Sequence, residues 1–119
     1  MNIEEFRKYC LTKKGVSESF PFDEKTLVFK VMGKMFALSG LEYHPARANL
    51  KCDPERAIEL RETYDGLITP GYHMNKKLWN TVELERSVPD DLLYELIDHS
   101  YDLVVQSLTK KLKAELAEL

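Results

Sequence analysis

Thr69-Pro-Gly-Tyr-His-Met-Asn-Lys-Lys-Leu-Trp-Asn-Thr-Val82 is the stretch whose reading decides the fold. Its Pro70-Gly71 pair suits the centre of a type II turn. Tyr72 to Met74 and Lys77 to Leu84 then read as two arms around a polar tip at Asn75-Lys76, which predicts a β-hairpin. In the second arm Leu78, Asn80, Val82 and Leu84 share one face, and Trp79, Thr81 and Glu83 share the other. An asparagine on the apolar side predicts that the outer end of this strand leaves the core.

Toward the N-terminus, Asp53-Pro54 is a strong helix start, an aspartate cap followed by the proline that tolerates the first helical position. That helix runs to about Tyr64, burying Ala57, Leu60 or the stem of Arg61, and Tyr64, and Gly66 can end it. Ahead of it, Ala48 to Cys52 reads as a strand, and Tyr43-His-Pro-Ala46 as a connection. Thr26 to Met32 and Met35 to Leu41 alternate around Gly33-Lys34, where glycine in the first loop position predicts a type II′ hairpin. Ser17 to Phe22 is extended but broken by Pro21, which confines it to a sheet edge or an irregular approach. The first helix is capped by Asn2 and carries Glu4 and Glu5 in its opening turn. Ile3, Phe6, Tyr9 and Cys10 form its inner face, and it stops near Lys14.

Toward the C-terminus, Pro89-Asp90-Asp91 opens the last helix. Leu93, Ile97, Tyr101, Val104, Leu108 and Leu112 recur at steps of three and four, so this is predicted to be the longest element, fraying beyond Lys110. The order α-β-β-β-α-β-β-α over residues 1–119 predicts a single α+β domain, an antiparallel sheet with helices packed on one face.

With 17 basic and 20 acidic residues the formal net charge is −3. No overall field draws the molecule to a polyanion, so any nucleic-acid binding has to come from a local basic patch. Cys10 and Cys52, with no secretory segment before them, read as buried thiols rather than a disulfide. No stretch approaches the ~20 apolar residues that span a bilayer, which together with the plain N-terminus predicts a cytoplasmic protein without a membrane partner, read as a monomer.

No catalytic pattern emerges. Glu4-Glu5 and Asp90-Asp91 sit in helix first turns, where the dipole already accounts for them. The serines lack a nucleophile elbow, the glycines form no phosphate loop, and three isolated histidines without a second ligand at metal spacing make no metal site. The expectation is a protein without catalysis or cofactor. Lys76-Lys77 with Trp79 and Asn80 admits two readings. In one, ammonium groups meet phosphates, the asparagine meets base edges and the indole stacks on a base. In the other, the lysines solvate a hairpin tip while Trp79 packs on the last helix.

Pro70-Gly71-Tyr72-His73-Met74-Asn75-Lys76-Lys77 followed by Trp79-Asn80-Thr81-Val82 resembles the signature of the YjbR/MmcQ family, whose members are described as candidate DNA-binding proteins. Gly15-Val16 with Glu18-Ser19-Phe20-Pro21-Phe22 resembles its early motif, Lys51-Cys52-Asp53-Pro54-Glu55 its middle one and His99-Ser100-Tyr101-Asp102-Leu103-Val104 its late one. The resemblance implies a fold similar to CyaY, the bacterial frataxin, and a "double wing" in which β-hairpin tips approach DNA. Asn75-Lys76 is then the tip of one wing and Gly33-Lys34 the candidate tip of the other. The implied nucleic-acid-binding residues are Lys51, His73, Asn75, Lys76, Lys77, Trp79 and Asn80, with Lys34 as a second contact. Many family members have histidine where this chain has Leu78, so no role is carried to that position. Frataxin's acidic first-helix ridge is also not matched, since Glu4 and Glu5 face Arg7, Lys8, Lys13 and Lys14, and iron chemistry does not follow from the fold. The alternative expectation is a protein- or small-ligand-interaction domain in which the same stretch is structural and Trp79 is buried.

Overall fold

The computed structural model describes residues 1–72 and 74–119. The elements are α1 (Ile3–Leu11), β1 (Val16–Ser19), β2 (Thr26–Val31), β3 (Lys34–Gly40), β4 (Arg47–Lys51), α2 (Pro54–Thr63), β5 (Ile68–Pro70), β6 (Trp79–Glu83), α3 (Asp90–Gln106) and α4 (Lys110–Ala117). One six-stranded antiparallel sheet runs in the order β1-β2-β3-β4-β6-β5. The α+β architecture is as expected, with an edge strand and a C-terminal helix added to the predicted order.

Local chemistry accounts for the helix starts. Asn2 and Glu5 form a reciprocal capping box at α1, the Glu5 N–H donating to Asn2 Oδ1 at 2.8 Å. The Asp53 carboxylate accepts the Arg56 N–H at α2, with Pro54 in the first turn. The helices lay their apolar stripes on one face of the sheet. Phe6 and Cys10, Ala57 and Leu60, and Leu93, Ile97 and Val104 meet Phe29, Val31, Phe36, Leu50 and Val82 in one continuous core. Cys10 and Cys52 are both buried free thiols, and burial pushes Cys10 up to about 12.

Two expectations are corrected, and one, the sheet edge at Ser17, is met. The first hairpin turns at Met32-Gly33, not Gly33-Lys34: Val31 pairs with Lys34, and both central residues have positive φ, 50° and 85°. This is the type I′ geometry, whose twist matches the flanking strands. Ser17 to Phe22 does contribute a strand, but only as far as Ser19 and at the sheet edge, two residues short of Pro21. The C-terminal segment does not fray from one long helix. α3 ends at Ser107, and the Thr109 hydroxyl caps a separate α4 by accepting the Leu112 N–H. α4 turns back so that Leu116 is buried and Lys14 Nζ donates to Ala117 O at 3.0 Å. Gly15 admits this return. It has φ +75°, and a Cβ there would lie 2.5 Å from Leu116 Cδ1.

Two adjacent side chains fasten α3 to the sheet. The buried Ser100 hydroxyl donates to Phe36 O on β3 and accepts the Lys51 N–H on β4 at 2.9 Å. His99 Nε2 accepts the Asp53 N–H at 3.1 Å, so the imidazole is held neutral, and burial with Arg56 nearby lowers its pKa below the ordinary 6.5.

Ser100→Ala leaves a buried N–H and a buried C=O without that partner and is expected to cost about 1–3 kcal/mol in urea unfolding. A loss below a few tenths would show that neither bond matters. For His99, the folded state binds the proton less readily than the unfolded chain. Its contribution is therefore complete above pH 6.5 and declines as pH falls from there toward the lowered folded-state value. The wild-type Tm is expected to drop more than that of His99→Gln across this window; parallel curves would assign the drop to another group.

Candidate functional site

The face of the sheet turned away from the helices is set by strand register. Ala48, Leu50 and Val82 point into the core, so their neighbours Arg47, Asn49 and Lys51 on β4 and Trp79, Thr81 and Glu83 on β6 point the other way, paired directly across the strands. Val28 on β2 and Leu38 on β3 join them and form a small second cluster with Trp79, flanked by Met35, Met74 and Leu78.

The segment between β5 and β6 folds back over this face. Gly71 is not left-handed and makes no type II turn. Its N–H donates to Trp79 O at 2.8 Å, continuing the ladder, and a Cβ there would lie 2.8 Å from Trp79 Cβ. Tyr72 N–H then donates to Thr81 Oγ1 at 3.1 Å, and Asn49 Nδ2 donates to Tyr72 O at 3.4 Å. Asn75 is consumed by the turn: its carbonyl accepts the Leu78 and Trp79 N–H groups and its side chain accepts the Lys77 N–H at 3.0 Å. Tyr72, Met74, Lys77 and Leu78, predicted as parts of the two arms, are thus outside the strands, which among the described residues here are Ile68–Pro70 and Trp79–Glu83.

Arg61 on α2 fixes the loop from the helix side. Its Nε donates to Asn80 Oδ1 at 2.7 Å, and its Nη2 donates to Lys76 O and to Trp79 O, the latter at 3.3 Å. Asn80 is 2 % exposed and also approaches Ala57 O, so this strand end stays in the core because a guanidinium answers the amide.

The expected contact residues therefore separate. Trp79, 7 % exposed, packs on Val28 and Leu38 rather than on the last helix, and cannot stack on a base. Asn80 is equally out of reach of a base edge. Lys34 pairs with the core-facing Val31, and its Nζ donates to Ser107 O at 3.2 Å beside the end of α3, on the other side of the sheet from Lys51. His73 lies outside the described residues. Lys51 remains, at the end of β4 beside Trp79, with the exposed Lys76 and Lys77 of the adjoining loop. Lys30 on β2, opposite Met35, faces the same way. Among the described residues, Lys30, Arg47, Lys51, Lys76 and Lys77 make no ion pair.

Sequence reading missed a cleft of about 370 Å³ on this face, lined among others by Phe22, Tyr43, Arg47, Asn49, Tyr72 and Thr81. Phe22 and Tyr72 are 66 % and 56 % exposed, two large rings on the lining of one cleft. The Arg47 guanidinium lies 3.7 Å from the centre of the Tyr43 ring. Asp23, the acid on the lining, accepts the Lys25 and Thr26 N–H groups at 2.8 and 2.7 Å, which hold its carboxyl below the usual range. The available signal was Phe22 itself, an aromatic beside a strand-breaking proline with no apolar pattern to absorb it. Among the described residues no group of three or more His, Cys, Asp or Glu could hold a metal ion.

The YjbR family model matches residues 11–103. The chain is 37% identical over 120 residues to the protein YjbR of Escherichia coli strain K12, described as uncharacterized, with 100% of both chains covered. A crystal structure of a Deinococcus radiodurans protein superposes with a TM-score of 0.92 at 44% identity, covering 98% of this chain and 88% of that one. A crystal structure of a Pseudomonas syringae protein gives 0.73 at 28% identity, covering 87% and 98%.

Trp79→Ala removes the centre of the second cluster and is expected to destabilise the fold by about 3–5 kcal/mol in chemical unfolding. A variant as stable as the wild type would mean that the indole is not a packing residue.

Proposed function

This chain belongs to the YjbR family, and from that premise we propose that it is a nucleic-acid-binding module without catalysis, engaging DNA on the helix-free face of its sheet. The observation that carries this reading is the placing of Lys30, Arg47 and Lys51 on that face, with the exposed Lys76 and Lys77 in the loop that leads into β6, none of them in an ion pair among the described residues. The acidic balance of the sequence does not oppose it. Helix α3 alone carries Asp90, Asp91, Glu95, Asp98 and Asp102 and no lysine or arginine. Those five acids exceed the whole formal charge of −3 and lie in the helix layer, while Glu83 beside Arg47 and Asp23 at the cleft remain on the side of the lysines.

Ammonium groups spaced along a face neutralise phosphates and fix register without reading sequence. The wing geometry is not needed for this, since the loop that carries Lys76 and Lys77 runs directly into Trp79, the cross-strand partner of Lys51. The alternative, a protein- or small-ligand-binding domain, is favoured by the structural use of Trp79 and Asn80. It leaves the unpaired cations without a purpose.

Titration of labelled oligonucleotides by fluorescence anisotropy tests the reading. Binding is expected at low salt, weakening with a slope of only a few counterions, and the combined Lys51→Ala, Lys76→Ala and Lys77→Ala variant is expected to flatten that slope by about one per lysine. Absence of binding at low salt to any single- or double-stranded oligonucleotide would overturn it.

A further inference from the structure

The helix-free face carries more than cations. Resting on the nucleic-acid reading above, we propose that the cleft bounded by Phe22, Tyr43 and Tyr72 takes an unpaired base, so that the ligand of this face is single-stranded nucleic acid.

Size and shape come first. At about 370 Å³ the cleft lies at the small end of ligand pockets, room for one base and its sugar and far short of a duplex. A paired base shows only its edges in the grooves, whereas an aromatic lining is matched by the flat face that an unpaired base presents. The exposure of Phe22, 66 %, fits a platform for such a face.

The polar groups are disposed accordingly. Asn49 and Thr81 lie side by side on adjacent strands, with the Thr81 hydroxyl donating to Asn49 Oδ1 and accepting the Tyr72 N–H. The Asn49 amide, which spends one N–H on Tyr72 O at 3.4 Å, retains a second donor for a base edge. The guanidinium of Arg47, stacked on Tyr43 and without an ion pair even to its cross-strand neighbour Glu83, offers its N–H fork to a phosphate. Asp23 repels phosphate from its own wall of the cleft, and its charge is answered by the backbone donors of Lys25 and Thr26. From Arg47 the strand β4 leads through Asn49 to Lys51, and Lys51 pairs with Trp79 at the foot of the loop holding Lys76 and Lys77. A backbone entering over Arg47 therefore meets a cation at either end of β4, while its base turns down into the cleft.

Anisotropy titrations of the full chain against one mixed-sequence oligonucleotide, as DNA single strand, RNA single strand and DNA duplex, test this. Both single strands are expected to bind about 10-fold tighter than the duplex. Phe22→Ala is expected to remove about 10-fold of single-strand affinity, leaving duplex binding and the salt slope unchanged, and Phe22→Trp to restore it. Phe22 is largely exposed, so the variant keeps the fold, which its Tm would verify. Equal affinity for single strand and duplex, with Phe22→Ala changing neither, would overturn the base site while leaving the lysine reading intact. A mononucleotide competing as well as the oligonucleotide would also overturn it, in favour of a free-nucleotide site. No binding to any oligonucleotide at low salt would remove both readings together.

Discussion

Arg61 reaches from the helix layer through the edge of the sheet, and the arrangement of the other face follows from what it holds. Its guanidinium bonds the Asn80 side chain and the carbonyls of Lys76 and Trp79, so one side chain satisfies a buried amide and the backbone of a turn at once. Leaving the buried Asn80 Oδ1 unpaired costs about 1–3 kcal/mol, and a planar fork with several donors is the group able to answer it and the turn carbonyls together. Lysine, a point charge, could not. The loop between β5 and β6 is thereby pulled against the sheet instead of standing out as a hairpin.

Once the loop is held there, charge and aromatic surface fall on the same side. The helices occupy one face and carry the acids of α3, including Asp98, which ties Tyr9 and Lys13 across to α1. The opposite face keeps cations that make no ion pair among the described residues. Strand register enforces the segregation, because side chains alternate strictly and Arg47, Asn49 and Lys51 cannot turn inward without exposing Ala48 and Leu50.

Much of this was legible in the sequence. The caps at Asn2 and Asp53, the Pro89 start of α3 and the apolar periodicities are local signals, and the elements they predict are present. The α+β class followed from their order. What failed was what local chemistry does not decide. Gly33 was read as the first loop residue, but twist placed Met32 before it at positive φ. The chain beyond Lys110 lacks a strong stripe, and only its contacts with Gly15 and Lys14 show why it folds back. Asn80 reads as a surface residue until a guanidinium nineteen positions earlier is brought to it. The cleft was invisible for the same reason: Phe22, Tyr43 and Tyr72 come from three separate connections and share no period.

The stretch from Thr69 to Val82, dense in groups that recognise, thus acts at one remove. Its tryptophan is a pedestal: with Val28 and Leu38 it supports Met74 and Leu78, and the loop resting on it carries Tyr72 to the rim of the cleft. Its asparagines close the turn and anchor α2, while its lysines are exposed. A residue buried to hold a loop is under as much constraint as one that touches a ligand, and in a sequence the two look alike. Here geometry separates them: the indole and the Asn80 amide are spent on the fold, and the ring of Phe22, 66 % exposed at the rim of the cleft, is open to something outside it.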